Sequence, residues 1–266
     1  MQGFGSTAAM RNPVEEPDET YRQILGVTFF DGSASEAIAR IRNGGLLVVP
    51  AAPALKEIDS DVGYREALLN ADLAIADSAL MVLVWNLMER DSLYRLSGLE
   101  YLRQLLLEPD VRESANTLWV MPSAKSADTN LKWLESTGTS VSEEHVYIAP
   151  MYGRKIEDPE LISLINRLRP QHVILALGGG TQERLGLYLK KHLSYLPAIH
   201  CIGAAIAFLS GDQVQIPTWG DRFYLGWLMR CISEPKRYIP RYWEARKLIG
   251  LMLRYRSELP LLRQDT

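Results

Sequence analysis

The sequence predicts an α/β fold with a mostly parallel sheet, flanking helices and a helical C-terminal appendage. Short apolar runs alternate with helical patterns, which is the order expected for βαβ units. Several of these runs are apolar throughout, as in strands that helices cover on both faces. The chain has 266 residues, of which 47% are hydrophobic and 23% charged, so it is long enough for one sizeable core.

Each predicted element rests on a local pattern. The predicted strands are Ile24–Phe30, Leu46–Val49, Leu73–Ala76, Leu118–Met121, Tyr147–Ala149, Val173–Leu177 and Ile199–Ile202. Two helices are predicted to begin at Ser33 and Thr181. Seven more are predicted with both bounds: Tyr64–Asn70, Ser78–Leu87, Gly98–Leu107, Asn130–Leu134, Pro159–Leu168, Phe223–Ile232 and Arg241–Tyr255. Ser33 followed by Glu36 has the spacing of a capping box, and Pro159 suits a first helical turn.

The pattern divides the chain into a flexible tail at 1–20, an α/β catalytic core at 21–215 and a helical appendage at 216–266. Residues 1–17 carry Pro, Ser, Gly and acidic residues without an apolar core, unlike a signal peptide or a membrane span. Cys201 and Cys231 provide no disulfide framework, which favours a reducing compartment. We therefore expect a cytoplasmic protein.

The C-terminal fifth is basic, although the whole chain has a net charge of −3. Between Arg222 and Arg263 there are ten Lys and Arg residues against three Glu, interleaved with Tyr and Trp. This mixture suits a membrane interface or a phosphate-rich ligand, whereas the acidic remainder disfavours nucleic acid. The amphipathic last helix either packs on the domain or lies on an anionic bilayer.

The segment Val173–Glu183 has the form of a buried strand that ends at three glycines and a polar pair. Glycines let backbone amides approach a ligand, and the helix start at Thr181 presents amides and a positive dipole end to an anion. A phosphate or nucleotide sugar would fit there. The alternative is a tight turn without a ligand. The spacing is not GxGxxG, which disfavours a dehydrogenase.

Asp77 directly follows an apolar run. Because ligands of open α/β sheets bind at the carboxyl ends of the strands, this carboxylate is a candidate catalytic base. The alternative is that Asp77 caps the following helix.

The triplet Asp59-Ser60-Asp61 matches the DxD pattern of metal-bound diphosphate sites, but it also precedes a helical pattern. We interpret its acids as solvated helix caps. The four histidines show no ligand spacing, so the sequence predicts no metal and no cofactor.

Three arginines could neutralise a diphosphate without metal: Arg230, Arg237 and Arg241 are spaced for one helical face. Pro235 and Pro240 are expected to interrupt that helix. Solvated surface charge is the alternative for each arginine.

Four motifs in order resemble the WecG/TagA/CpsF family of bacterial glycosyltransferases, over roughly residues 24–253. They are Ala71–Asp77 (family ADLVLPDG), Arg95–Glu100 (RVxGxD), Ala176–Glu183 (ALGSPKQE), and Ile202–Gly211 followed by Trp227–Arg230 and Glu234–Arg237 (VGAAFDFLAG, WLYR, EPRR). The resemblance implies a Rossmann-like enzyme that moves a sugar, typically of the N-acetylmannosamine type, from a UDP-sugar donor to an undecaprenyl-diphosphate-linked acceptor. It also implies inversion at the transferred sugar, no metal, and an appendage that contacts the inner face of the cell membrane.

By matching position, the resemblance makes Asp77 the general base. Arg95 and Gln182, with Gly178, Gly179 and Glu183 of the same motif, would bind substrate, while Arg230 and Arg237 would meet the diphosphate. The chain departs from the family at several places, which are Ala51-Ala52-Pro53-Ala54 for NTPN, Ser78 for Gly, Glu100 for Asp, Gly180 for Pro, and Pro240 for a basic residue.

These departures leave a second function open, a non-catalytic nucleotide-sugar or phosphate-binding module on the same fold. The sequence does not fix the oligomeric state, and a homo-oligomer remains among the partners to be tested.

Overall fold

The computed structural model describes residues 20–213 and 226–263. The predicted tail, apart from Thr20, and the start of the predicted Phe223–Ile232 helix lie outside these ranges. The predicted fold class is confirmed, because an eight-stranded, mostly parallel sheet is flanked by helices.

The strands are β1 Tyr21–Ile24, β2 Val27–Phe30, β3 Gly45–Val48, β4 Leu73–Ile75, β5 Thr117–Met121, β6 Val146–Ile148, β7 His172–Leu175 and β8 Ala198–Cys201. Their order in the sheet is β1-β2-β4-β3-β8-β7-β5-β6. β1 and β2 are antiparallel and the other neighbouring pairs are parallel. The carboxyl ends of β2 to β8 therefore lie along one edge of the sheet.

The prediction of one strand over Ile24–Phe30 is wrong, since the chain makes a hairpin there. Leu25 and Gly26 form its turn with φ of 51° and 78°, the left-handed values that a two-residue hairpin turn requires. The amides of Leu25 and Gly26 donate to the carbonyls of Arg256 and Ser257 at 2.8 and 2.9 Å. Leu25 thus keeps a strained left-handed conformation at a place where carbonyls of a distant segment accept hydrogen bonds from the turn.

The helices are α1 Ala34–Ile41, α2 Ala52–Leu55, α3 Val62–Leu69, α4 Ala79–Glu89, α5 Gly98–Leu105, α6 Pro109–Arg112, α7 Ala124–Ser136, α8 Pro159–Leu168, α9 Thr181–His192, α10 Ala205–Ser210, α11 Gly226–Ser233, α12 Pro235–Ala245 and α13 Lys247–Tyr255. The capping box at the start of α1 is confirmed. Ser33 N donates to Glu36 Oε2 at 2.8 Å, and Glu36 N donates to Ser33 Oγ at 3.3 Å.

Both faces of the sheet are buried, which explains the uninterrupted apolar runs. Leu46 and Val48 of β3 pack into one apolar cluster, while Leu47 between them packs into a second cluster. Val173 and Ile174 of β7 divide in the same way. The successive side chains of each strand thus join two different cores.

The C-terminal helices differ from the prediction. The predicted helix Arg241–Tyr255 is wrong in its bounds: α12 starts at Pro235 and α13 at Lys247. Pro235 lies in the first turn, where a helix needs no amide donor, whereas Pro240 lies inside α12 and does not end it.

These helices pack on the α/β part of the chain. Ala245, Leu248 and Met252 are buried in one cluster with Val82 and Trp85 of α4. The packing interpretation is therefore confirmed for this face of α12 and α13.

Candidate active site

A cavity of about 870 Å³ opens at the carboxyl edge of the sheet. Its walls come from the segments that follow five neighbouring strands, β4, β3, β8, β7 and β5, and from α11 and α12. This is the position at which open α/β sheets bind ligands. The size suits a small-molecule substrate.

Asp77 lies in this cavity after β4, and the structure brings it together with Arg95. Arg95 Nε donates to the Asp77 carbonyl oxygen at 2.7 Å, and Nη2 donates to Asp77 Oδ1 at 3.4 Å. The Gly98 amide at the start of α5 donates to the same Oδ1 at 3.1 Å. Oδ2 accepts no hydrogen bond from the residues that the structure describes, so it can face a substrate.

The alternative interpretation of Asp77 as a helix cap is wrong. Ser78 is the N-cap of α4, and its Oγ accepts a hydrogen bond from Met81 N at 3.2 Å. Ser78 replaces the glycine of the family motif and caps the helix itself. The Asp77 carboxylate is therefore held by Arg95 and by Gly98 of α5, and it does not cap α4.

The glycine turn after β7 forms another wall, in which Gly178 and Gly179 line the cavity. Gly180 has a φ of 89°. The amides of Thr181 and Gln182 both donate to the Gly178 carbonyl at 3.2 Å. The predicted anion site on free amides of the helix start is wrong for these two donors, because the turn itself satisfies them.

Gln182 and Glu183 have different surroundings. Gln182 lines the cavity and is 2% exposed; its Oε1 accepts from Gly203 N at 2.6 Å, and its Nε2 donates to Glu183 Oε1 at 3.2 Å. Glu183 is 0% exposed and its Oε2 accepts from Gly180 N at 2.6 Å.

Glu183 therefore lies behind the cavity wall, where it holds Gln182 and the glycine turn. A contact between Glu183 and substrate stays a prediction. Burial raises the pKa of its carboxyl to about 7.

The segment Ala51–Ala54 brings small apolar side chains into the cavity after β3. Ala51 is the N-cap of α2 without a side-chain hydrogen bond. A Cβ built on Gly179 would lie 3.4 Å from Ala54 Cβ, so a side chain at position 179 would come into van der Waals contact with the turn after β3. This wall offers no side-chain hydrogen bonds to a sugar.

Sequence reasoning missed the opposite wall. Five polar side chains line it, and we call them the polar wall: Ser123, Lys125, Ser126, Asn130 and Asp212. Ser126 Oγ donates to Asp212 Oδ2 at 2.6 Å. Ser123 follows β5 as Asp77 follows β4, so the same rule of strand ends could have located this wall. The contact with Asp212 depends on the tertiary structure.

Of the three predicted arginines, Arg241 lines the cavity together with Tyr238 and Tyr242 of α12. Arg230 belongs to α11 and Arg237 to α12. The side chains of Arg230 and Arg237 lie outside the described part of the structure, so their roles stay predictions.

The acids of the DxD triplet stay away from the cavity. Asp61 caps α3 by accepting from Tyr64 N at 2.9 Å, so the capping interpretation is confirmed for Asp61. Asp59 is 5% exposed and accepts from Arg263 Nε and Nη2 at 2.7 and 2.9 Å. Asp59 is therefore an ion-paired acid, and its interpretation as a solvated cap is wrong.

Residues 20–213 and 226–263 contain no group of three or more His, Cys, Asp or Glu placed to hold a metal ion. Among the same residues, no helix combines the length and the apolar character that crossing a bilayer requires.

Comparison with known proteins adds two findings. Residues 22–260 match the family described as the glycosyl transferase WecG/TagA/CpsF family. The chain is also similar to the N-acetylglucosaminyldiphosphoundecaprenol N-acetyl-beta-D-mannosaminyltransferase of Bacillus spizizenii. The two are 25% identical over 215 residues, which cover 77% of this chain and 79% of the relative.

Proposed function

The chain belongs to the WecG/TagA/CpsF family and is a glycosyltransferase, and we propose that it moves a hexose of the N-acetylmannosamine type from UDP to an undecaprenyl-diphosphate-linked saccharide. The product would enter cell-surface polysaccharide synthesis. The name of the Bacillus relative supports both the sugar class and the lipid-linked acceptor.

The observation that carries the proposal is the placement of Asp77. Its carboxylate lies in the cavity with Oδ1 held by Arg95 and Gly98. Oδ2 would take the proton of the acceptor hydroxyl while the hydroxyl oxygen bonds to the anomeric carbon. The bond from that carbon to the UDP oxygen breaks on the opposite side, so the transfer inverts the sugar. A general base of this kind contributes about 10²–10⁴-fold to the rate.

The leaving diphosphate needs positive charge, and in this proposal side chains supply it without metal. Arg241 of α12 and Lys125 of the polar wall both line the cavity. A guanidinium binds phosphate oxygens in pairs and keeps its charge. Arg230 and Arg237 would complete this set.

We further propose that the enzyme is cytoplasmic and binds the inner face of the cell membrane through its C-terminal segment. Ile239 and Trp243 lie four residues apart on α12 and are 54% and 62% exposed. Lys236 of the same helix and Arg246, its C-cap, are exposed too. Apolar and basic side chains together favour an anionic membrane surface.

The test is UDP release from a panel of UDP-sugars in the presence of undecaprenyl-diphosphate-linked N-acetylglucosamine. We expect one donor to be turned over, and Asp77→Asn to lower kcat about 10²–10⁴-fold with little change in donor affinity. Asp128→Asn, at an exposed position on α7, is the matched control and should keep full activity. Donor binding without UDP release would instead support a non-catalytic module, and full activity of Asp77→Asn would remove the role of Asp77.

A further inference from the structure

The cavity has two chemically different ends. The strand order places β4 at one end of the cavity and β5 at the other, four strand spacings or roughly 19 Å apart. Four of the five residues of the polar wall follow β5, and Asp212 contacts one of them, whereas Asp77 and α4 follow β4. The β4 end thus combines the charged side chains of Asp77 and Arg95 with leucines of α4, which the polar wall lacks.

Three leucines of α4 continue the apolar end outward, and we call them the α4 leucine stripe: Leu80, Leu83 and Leu87. Their spacing places them on one helical face, about 10 Å long. Leu80 and Leu83 line the cavity, and Leu83 and Leu87 are 57% and 83% exposed. The stripe thus runs from the cavity to the protein surface.

Leu80 packs against the main core, whereas Leu83 and Leu87 do not belong to it. Met81, Val82 and Trp85 supply the buried face of α4. A helix of a globular protein normally carries polar residues on its outer face, so exposed leucines at this spacing indicate an apolar partner.

We propose that the polyprenyl chain of the acceptor leaves the cavity along the α4 leucine stripe, while the nucleotide of the donor lies at the polar wall. This inference rests on the proposed function. Asp77 must meet the acceptor hydroxyl, and only Ser78 separates it from α4, so the acceptor occupies the β4 end. The hydrocarbon chain then follows the stripe, which runs from this end of the cavity to exposed leucines.

The test compares two acceptors that share the diphosphate-linked N-acetylglucosamine head. One carries an undecaprenyl chain, and the other a short, water-soluble alkyl chain. The variant is Leu83→Gln with Leu87→Gln, which keeps the helix and removes apolar surface. The control is Leu107→Gln, a leucine that is 59% exposed and does not line the cavity.

We expect the double variant to lose about ten-fold in kcat/KM on the long-chain acceptor, which corresponds to about 1.4 kcal/mol. Its loss on the short-chain acceptor should be smaller, and Leu87→Gln alone, which lies outside the cavity lining, should match the wild type on that acceptor. The Leu107→Gln control should act as wild type on both acceptors.

Equal losses on both acceptors, or no loss on either, would overturn the proposal. Sedimentation with vesicles that contain no prenyl lipid provides a second measurement, and a loss of binding by the double variant would assign the stripe to the bilayer instead. Dissociation of a wild-type oligomer in the double variant would assign the stripe to a second copy of the chain. A wild type that uses neither acceptor would contradict the proposed function itself, and the inference with it.

Discussion

His172 Nδ1 lies 3.1 Å from His200 Nε2 where β7 and β8 pair, and the two rings stack with their centroids 5.4 Å apart. The Tyr101 hydroxyl lies 2.8 Å from His200 Nδ1. Both histidines are buried, and burial lowers the pKa of each imidazole below its ordinary value. If both nitrogens between the rings, His172 Nδ1 and His200 Nε2, carried a proton, two hydrogen-bond donors would face each other.

This pair predicts that stability falls in acid. Because the pKa values are lower in the folded state, the unfolded chain binds more protons below about pH 6.5. The stabilisation is complete above that pH and is lost as the pH falls through the folded pKa values. Urea unfolding between pH 5 and 6.5 gives the slope of the free energy of unfolding against pH. His172→Gln should reduce this slope by up to about 1.4 kcal/mol per pH unit.

The control for His172→Gln is Ile174→Val on the same strand. It should destabilise by about 0.5–1.5 kcal/mol and keep the wild-type pH dependence. An unchanged slope in His172→Gln would show that the pair does not control acid stability.

Glu183 predicts the opposite pH dependence. Burial raises the pKa of its carboxyl to about 7 from an ordinary value near 4.5. The folded state therefore stays protonated at this carboxyl up to a higher pH than the unfolded chain does. The stabilisation that the carboxyl contributes is complete below about pH 4.5 and is lost as the pH rises through 7. Relative to Glu183→Gln, the wild type should lose up to about 3 kcal/mol of unfolding free energy between pH 5 and 8.

Urea unfolding of both proteins at the two pH values checks the prediction for Glu183. The contribution of this carboxyl is the difference between the unfolding free energies of the wild type and Glu183→Gln, and not either value alone. A difference that stays constant across the range would mean that Glu183 is ionised throughout.

Gly178 and Gly180 form a matched pair for the conformation of the turn. A Cβ at either position would meet no atom within 4 Å, but only Gly180 has a positive φ, of 89°. Gly180→Ala should therefore lower the free energy of unfolding by about 1 kcal/mol or more, whereas Gly178→Ala should change it by less than about 0.5 kcal/mol. Urea denaturation at one pH measures both, and equal effects would contradict the conformational explanation.

Elements with strong local signals could be predicted from the sequence. The predicted bounds of α8, Pro159–Leu168, are those of the structure, since Asp158 caps the helix and Pro159 begins it. The hairpin at Leu25 could not be predicted, because its left-handed leucine depends on carbonyls more than 200 residues later in the chain.

The candidate site shows the same division. The sequence places Asp77 and Gln182 after buried strands, which is enough to locate an edge of the sheet. It does not show that Glu183 is buried behind the cavity wall, nor that Asn130 belongs to the residues lining the cavity.

The sequence by itself determined the fold class, the family resemblance and the strand ends at which ligand residues stand. Only the tertiary structure decided which of these residues meet: Asp77 with Gly98, and Gln182 with Gly203. The physical reason is that secondary structure follows from contacts within a few residues, whereas the order of strands in the sheet follows from burial across the whole chain. That order sets the neighbours of each strand end, and through them the two ends of the cavity.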